Sequence, residues 1–322
     1  MTGVTLNGTR VLVTGATGFV GRGVVAELAT AGATVRAAVR SPHTLPAAVE
    51  AVAVGDIGPD TDWSEALSGA DIVIHLAAHV HQMGGGNPAD FYRVNTLGTI
   101  ALARAAAAAG VRRLVFLSSI KVNGEHTEEQ PFRGEDRPDP QDAYARSKLE
   151  AEQGLWAVRE SSRMEATVLR PPLVYGPGVG ANFAALQRAL WRGLPLPLGA
   201  VANRRSLIFV RNLASAIVAA ARHPLADGRT FLVSDGGAVS TPQLLRSLAT
   251  GMGRPARLIP VPKMLLRAAG VLLGRGEQMS RLLSSLEVDS APIRETIGWS
   301  PPFTFEEGLR ITGEAFISAR SR

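Results

Sequence analysis

Two side chains able to exchange protons stand four positions apart near the middle of the chain. They are Tyr144 and Lys148, in the segment Tyr144-Ala145-Arg146-Ser147-Lys148. On a helix, positions i and i+4 share a face, so the phenol and the ammonium group can meet at one point. In a protein that binds a dinucleotide, such a pair is suited to donate a proton to a carbonyl oxygen that is being reduced.

A glycine-rich loop earlier in the chain supplies the dinucleotide context. Gly15, Gly18 and Gly21 follow an apolar run at residues 10–14 and open a helix-period segment. The spacing differs by one residue from the dinucleotide fingerprint, but the strand–loop–helix context is the one that the fingerprint requires. Glycines allow the backbone to approach a pyrophosphate, whose charge then lies at a helix N-terminus. The loop and the Tyr144–Lys148 pair together predict carbonyl redox chemistry.

The end of the second predicted strand indicates which nicotinamide cofactor is used. An Asp or Glu there would accept hydrogen bonds from the ribose 2′-hydroxyl of NAD. The chain has Val39-Arg40-Ser41 instead. The planar guanidinium of Arg40 can pair with a 2′-phosphate, so we expect NADP, as NADPH, with NAD as the alternative.

A hydroxyl group at the end of the fifth predicted strand is a third candidate for the chemistry. Ser119 could hold the substrate carbonyl oxygen beside the Tyr144 phenol. Ser118 competes for this role, because side chains alternate along a strand and only one of the two points into the cleft. We take Ser119, Tyr144 and Lys148 as the catalytic set.

Alternating apolar strands and helices run from residue 10 to about residue 170 and predict an α/β fold. We expect a Rossmann-like, doubly wound parallel sheet with a smaller, discontinuous C-terminal substrate lobe. The predicted nucleotide-binding domain is 1–172, with 204–233 returning to it as a strand (207–210) and a helix (212–221). The predicted substrate lobe is 173–203 and 234–322.

Composition restricts the possible partners. The net charge is +6, but the arginines are scattered, so we expect no nucleic acid; anionic nucleotides suit this charge. The apolar stretch 264–274 is short and contains Arg267, so we expect no membrane insertion and a cytoplasmic protein. Of the histidines at 75, 79 and 81, none has an acidic neighbour at useful spacing, and no metal site is predicted.

The chain resembles the extended short-chain dehydrogenase/reductase superfamily over nearly its whole length. The matching segments are residues 14–21, Gly55-Asp56-Ile57, His75-Leu76-Ala77-Ala78, Asn95, Ser118-Ser119, Tyr144 with Lys148, and Leu169-Arg170-Pro171 running to Gly176-Pro177-Gly178. The resemblance implies that Asp56 lies near the adenine, Ala77 near the pyrophosphate and Arg205 at a substrate diphosphate. The cofactor-binding residues expected in all are Gly15, Thr17, Gly18, Phe19, Val20, Gly21, Arg40, Asp56, Ile57, Leu76, Ala77, Ala78, Asn95, Ser118, Tyr144, Lys148 and Pro171. The expected substrate-binding residues are His79, Lys121, Asn182, Phe183, Arg205 and Arg281.

Departures from the family pattern separate the possible reactions. Sugar-nucleotide dehydratases place an Asp-Glu pair after the catalytic hydroxyl, where this chain has Ile120-Lys121. Residues 118–124, 170–179 and 194–199 are similar to reductases of UDP-4-keto-6-deoxy-N-acetylhexosamines. We therefore expect NADPH-dependent reduction of the 4-keto group of such a UDP-sugar, forming UDP-N-acetylquinovosamine or UDP-N-acetylfucosamine for a surface polysaccharide.

Two alternatives to the reductase are kept. The first is a UDP-sugar 4-epimerase that uses tightly bound NAD, acting on UDP-glucose or UDP-N-acetylglucosamine. The second is a non-catalytic NADP-binding sensor, which would not need the Ser119, Tyr144 and Lys148 set. Ala145, Leu149 and Trp156 form an apolar line on the same helix, and relatives often pair two such helices, so we also expect a homodimer.

Overall fold

The computed structural model describes residues 5–41, 45, 48–80, 87–272, 274 and 276–320. Its strands are β1 (Arg10–Thr14), β2 (Thr34–Val39), β3 (Val49–Ala53), β4 (Ile72–His75), β5 (Arg113–Leu117), β6 (Glu165–Arg170), β7 (Leu173–Tyr175), β8 (Leu207–Phe209) and β9 (Arg229–Leu232). Its α-helices are α1 (Phe19–Thr30), α2 (Ser64–Leu67), α3 (Pro88–Phe91), α4 (Gly98–Ala108), α5 (Ala143–Glu160), α6 (Ala181–Trp191), α7 (Val210–Arg222), α8 (Thr241–Gly251), α9 (Lys263–Leu272), α10 (Gly276–Leu283), α11 (Ala291–Ile297) and α12 (Phe305–Ser318). A π-helical turn (Tyr92–Leu97) joins α3 to α4, and short 3₁₀ turns follow β5 (Ile120–Val122) and α7 (Pro224–Ala226).

Seven of the described strands form one parallel sheet, in the order β3-β2-β1-β4-β5-β6-β9. Both faces of the sheet centre are covered, which is why central strands such as β4 read as continuous apolar runs. Val11 and Val13 pack with α1 and α7 on one face, while Leu12 packs with α4 and α5 on the other. The predicted α/β, Rossmann-like fold is confirmed.

The order of the strands fixes where a ligand can bind. β1 lies between β2 and β4, so the chain proceeds outward in opposite directions from this point. In such a sheet the crevice opens beyond the carboxyl ends of the two central strands. The glycine-rich loop follows β1 and residues 76–78 follow β4, so both segments meet at this crevice.

One predicted strand belongs to a different sheet. β8 pairs with β7 in a separate two-stranded sheet, so residues 207–210 do not return to the main sheet as predicted. The strand that does return is β9, paired with β6, which sequence reasoning missed. β9 has four residues and begins with Arg229 and Thr230, because an edge strand needs no continuous apolar run. The helix that follows β8, α7, does pack on the main sheet beside α1.

The C-terminal segments surround a core of their own. Tyr175, Phe209, Leu245 and Leu309 are among its buried members. The division of the chain into 1–172 with 204–233, and 173–203 with 234–322, stays a prediction. Among the described residues no helix is both long and apolar enough to span a membrane.

Candidate active site

Helix α5 positions the Tyr144–Lys148 pair. It begins just before the tyrosine, because the Asp142 carboxylate caps it by accepting a 2.7 Å hydrogen bond from the backbone N–H of Ala145. Tyr144 is half-buried and Lys148 is 1% exposed. The two side chains therefore project from the first two turns of one helix face towards the carboxyl end of β5.

The two serines after β5 point in different directions. The Ser119 side chain lies beside Tyr144, close enough to lower the pKa of the phenol, and its oxygen accepts from the backbone N–H of Lys121 (3.3 Å). The buried Ser118 hydroxyl instead donates to the Glu152 carboxylate. The alternation expected along the strand thus places Ser119, and not Ser118, beside the phenol.

Burial sets the protonation states of the pair. It raises the pKa of Tyr144 to about 12, an effect that the hydrogen bond with Ser119 opposes and the Asp142 charge reinforces. Burial also lowers the pKa of Lys148 to about 7, against the opposing effect of the Glu152 carboxylate. At neutral pH the phenol therefore keeps its proton, while the lysine is divided between its two forms.

A buried histidine near Lys148, His75, holds the end of β4 in place. The Thr99 hydroxyl donates to the carbonyl oxygen of Asn95, so it can only accept from His75. His75 therefore donates from Nε2 to Thr99 (2.9 Å) and accepts at Nδ1 from the Thr14 hydroxyl (2.6 Å). Burial and the nearby Lys148 lower the pKa of His75 to about 3. His75 is thus a neutral connector between β1, β4 and α4, with both ring nitrogens occupied.

An ion pair that sequence reasoning missed holds α5 in place. Glu152 lies four residues after Lys148 and is 1% exposed. Arg170, at the end of β6, binds it through both carboxylate oxygens (Nε–Oε1 3.0 Å and Nη2–Oε2 2.5 Å). Arg170 also donates to the side chain of Asn123 (2.9 Å). The i+4 spacing that pointed to Lys148 would also have found Glu152.

Loss of this carboxylate charge is expected to destabilise the fold. Glu152→Gln leaves the buried Arg170 guanidinium uncompensated, which typically costs about 3–5 kcal/mol in the free energy of unfolding. Urea unfolding measures the change, and Glu160→Gln, on the exposed side of the same helix, is the control. A similar small effect for both variants would contradict the structural role of Glu152.

A cleft of about 470 Å³ opens at the carboxyl ends of β1, β2 and β4. The predicted cofactor residues that line it are Gly15, Thr17, Arg40, Asp56, Ile57, Ala77 and Ala78, and the predicted substrate residue His79 lines it too. Asp90, Arg93 and Val94 also line it and were not predicted; they come from α3 and the π-helical turn, where no motif marks them.

The glycine loop in this cleft fits a dinucleotide. Gly15 has φ +68°, and a Cβ there would lie 2.8 Å from the backbone nitrogen of Ala77. A Cβ at Gly21 would lie 2.0 Å from the carbonyl oxygen of Gly15, so that glycine closes the loop onto α1. The N-terminus of α1, at Gly18, has no side-chain cap. The loop therefore presents backbone N–H groups where a pyrophosphate needs them.

Arg40 and Asp56 face each other across the mouth of the cleft. The Arg40 Nε lies 2.8 Å from Asp56 Oδ1, with both side chains largely exposed (82% and 70%). The carboxylate that was expected near the adenine is therefore also the partner of the arginine that was expected to bind a 2′-phosphate. Asp56 and a phosphate would compete for the same guanidinium.

Other predicted cofactor residues have structural partners. Asn95, 1% exposed, accepts from the backbone of His79 (2.7 Å) and donates to Ser147 (3.0 Å), so its amide links the segment after β4 to α5. Phe19 and Val20 pack partly against the core of the lobe. The predicted cofactor-binding residues that do not line the cleft are Gly18, Phe19, Val20, Gly21, Leu76, Asn95, Ser118, Tyr144, Lys148 and Pro171.

Arg205 and Arg281 contact each other across the predicted domain boundary. The Arg205 guanidinium donates to the carbonyl oxygen of Arg281 (2.7 Å). The pKa of Arg205 is lowered, mainly by burial and to a smaller extent by the Arg281 charge. Arg281 lies 3.7 Å from Glu125, whose carboxylate also binds Lys121 at 2.8 Å. Lys121 further contacts Asp142, the cap of α5 (2.5 Å). Three of the predicted substrate residues are thus connected to the start of the Tyr144 helix.

Two further substrate candidates are placed differently. Phe183 is buried in the core of the lobe, where its ring stacks on Tyr175 at 6.1 Å. The side chain of Asn182, like residue His81, lies outside what the structure describes. On α5, Ala145 is 1% exposed and Trp156 packs against the core below the sheet, and the homodimer stays a prediction.

A parallel sheet with a glycine-rich loop after β1, and a serine beside a tyrosine on the helix that carries a buried lysine, is the arrangement of a class of nicotinamide-dependent enzymes. The model of the NAD dependent epimerase/dehydratase family matches residues 11–234. The chain belongs to this family.

Comparison with individual proteins agrees. The chain is 43% identical to a Vibrio cholerae protein named UDP-glucose 4-epimerase, over 97% of each chain. Its fold matches a solved structure of the protein MoeE5 in complex with UDP-glucose and NAD (27% identity, TM-score 0.75, 97% of this chain and 99% of that one). It also matches UDP-glucose 4-epimerase of Thermus thermophilus in complex with NAD (25% identity, TM-score 0.75, 97% and 100%).

Proposed function

We propose that this protein is a UDP-sugar 4-epimerase. The observation that supports the proposal is the proximity of Ser119 to Tyr144 on the helix that also carries the buried Lys148, because a phenol with these neighbours is suited to move the proton of a sugar hydroxyl. The substrate class is supported by the UDP-glucose 4-epimerase relative at 43% identity. This proposal replaces reduction, the first expectation from the sequence, with the alternative that the relatives favour.

The residues divide the work as follows. NAD held at Gly15, Thr17 and Ala77 of the cleft would supply the acceptor and donor of the hydride at sugar C4. As the phenolate, Tyr144 would take the proton of the 4-hydroxyl and later return it, and Ser119 would bond the same oxygen. Lys148, one helical turn from Tyr144, would favour the phenolate when it carries its ammonium charge and bound ligands exclude water, because the attraction between opposite charges grows as the effective dielectric falls. This help is needed because the pKa of Tyr144 is raised to about 12.

Reduction of a 4-keto UDP-sugar by NADPH is the second candidate. Arg40 at the end of β2, in place of an acidic residue, favours it. The raised pKa of Tyr144 also favours it, because a protonated phenol is a ready proton donor. Ile120-Lys121 in place of the dehydratase acids argues against dehydration.

Product analysis separates the two reactions. The purified protein is incubated with UDP-glucose and with UDP-N-acetylglucosamine, with and without added NAD, and the sugars are identified by NMR. Epimerisation gives the C4 epimer without net consumption of cofactor. Stoichiometric NADPH oxidation with a 4-keto-6-deoxy UDP-sugar, and no epimer from either substrate, would overturn the proposal in favour of the reductase.

Arg40 is expected to discriminate between the two cofactors. We propose that it would bind a 2′-phosphate if Asp56 releases it, so Arg40→Gln should weaken NADPH binding at least about tenfold and leave NADH binding nearly unchanged. Fluorescence titration of each cofactor measures this. The control is Arg104→Gln, an exposed arginine on α4. Equal loss for NADPH and NADH would remove the 2′-phosphate role.

A further inference from the structure

Helix α9 (Lys263–Leu272) is apolar on the side that faces away from the protein. Only Leu266 and Gly270 of this helix are buried. Met264, Leu265, Val271 and Leu272 are 82%, 61%, 73% and 86% exposed. Single exposed apolar residues are ordinary on a protein surface, but four large ones on a ten-residue helix form a patch.

Helix geometry shows that these residues share a face. With a rotation of about 100° per residue, Leu266 and Gly270 lie together on one side. The four exposed side chains centre about 180° away from them. Lys263 and Arg267 lie on one border between the two sides. The helix thus has two apolar faces. One, with Leu266 and Gly270, packs on the protein, and the other is exposed and has Lys263 and Arg267 at its border.

The stretch of sequence that contains this helix is basic. Residues 236–276 contain six Lys or Arg and no Asp or Glu. The net charge of the whole chain is +6, so the remaining residues carry equal numbers of basic and acidic side chains. The segment that contains the exposed apolar face therefore carries basic side chains only, and Lys263 and Arg267 lie on the helix itself.

We infer that α9 docks on the surface of an anionic lipid bilayer. Met264, Leu265, Val271 and Leu272 enter the boundary between headgroups and acyl chains, and Lys263 and Arg267 contact lipid phosphates. A two-fold interface with a second copy would bring this basic segment against itself, so charge complementarity favours an anionic surface over self-association.

Docking would bring the substrate lobe close to the membrane. α9 packs against α10, which carries Arg281, the partner of Arg205 and Glu125. α9 therefore packs on the helix that carries one of the predicted substrate-binding residues. The helix lies on the bilayer and does not cross it, since it has ten residues.

Vesicle sedimentation with the full chain tests the inference. Wild-type protein should pellet with phosphatidylglycerol-containing vesicles at least about tenfold more tightly than with phosphatidylcholine vesicles, and less so at high salt. Leu265→Glu combined with Leu272→Glu should weaken binding at least about tenfold. Lys263→Gln with Arg267→Gln should remove the preference for anionic lipid. Leu225→Glu, the same change at a residue 60% exposed elsewhere, should bind as wild type.

Three results would overturn the inference. They are failure of the wild-type protein to bind anionic vesicles, equal loss of binding in Leu225→Glu, and a dimer seen by sedimentation that the α9 variants dissociate. Circular dichroism and the turnover of a UDP-sugar in solution should stay unchanged in all the variants, because the altered side chains are exposed. Vesicle binding is read without catalysis, so its failure and that of the proposed function are distinguishable.

Discussion

Tyr144→Phe is expected to lower kcat by roughly a thousandfold and to leave cofactor and nucleotide-sugar binding nearly unchanged. The variant removes one oxygen from a half-buried ring that packs edge-on against Phe91, 6.1 Å between centroids. Proton transfer by a positioned side chain typically contributes ~10²–10⁴-fold. The loss should therefore appear in kcat, with KM almost constant.

Tyr92→Phe is the matched control, since its ring is 49% exposed and the same atom is removed. It should keep wild-type turnover. The two variants are compared in steady-state assays of the UDP-sugar reaction, with the Kd of cofactor and substrate measured by calorimetry. Retention of more than about a tenth of wild-type kcat in Tyr144→Phe would remove the phenol from the proton-transfer role.

Lys148→Met is expected to make the protein more stable while it reduces activity. The pKa of Lys148 falls to about 7 in the folded protein, against an ordinary value of ~10.4 in the unfolded chain. Holding the ammonium group in the core thus opposes folding, and each pKa unit corresponds to ~1.4 kcal/mol. Methionine has a similar shape and no charge, so unfolding at pH ~7 should require up to about 4 kcal/mol more.

The pH dependence gives the sign of the effect. Between pH ~7 and ~10.4 the unfolded chain binds a proton at this lysine that the folded protein has released, so wild-type stability rises with pH across this window. The advantage of Lys148→Met should be greatest below pH ~7 and should disappear above pH ~10.4. Urea unfolding at several pH values measures it.

The control for this prediction is a lysine whose removal should not stabilise the protein. Lys121→Met removes a partly exposed ammonium group that contacts Glu125 and Asp142, so stability should fall or stay unchanged. A loss of stability in Lys148→Met at neutral pH would show that the buried ammonium group is stabilising in place.

The central part of the fold could be predicted from the sequence because its signals are local. β1 and β2 begin and end where the apolar runs do, at Arg10–Thr14 and Thr34–Val39. β9 could not be predicted, because its four residues include Arg229 and Thr230 and its pairing with β6 joins distant parts of the chain. The assignment of β8 to the main sheet was wrong for the same reason: a short apolar run does not specify its neighbour.

The part of the site that lies on one face of α5 could be predicted from the sequence. Spacing along α5 placed Tyr144 and Lys148 together, while the choice between Ser118 and Ser119 needed coordinates, since strand alternation gives the two options but not the orientation. The pairing of Arg40 with Asp56 was also beyond sequence reasoning, because these residues follow different strands. Contacts between side chains that follow different strands depend on the folded structure and leave no pattern in the local sequence.

The late position of β9 also affects how the chain is made. The edge of β6 that faces away from β5 has no partner until β9 has been synthesised, about 60 residues later. At ~5–20 residues per second, synthesis of these residues takes roughly 3–12 s. During that interval an apolar strand edge is open to the wrong neighbour. Production of this protein should therefore be most prone to aggregation when elongation slows between β6 and β9, and chains that stop in this interval should need a chaperone to remain in solution.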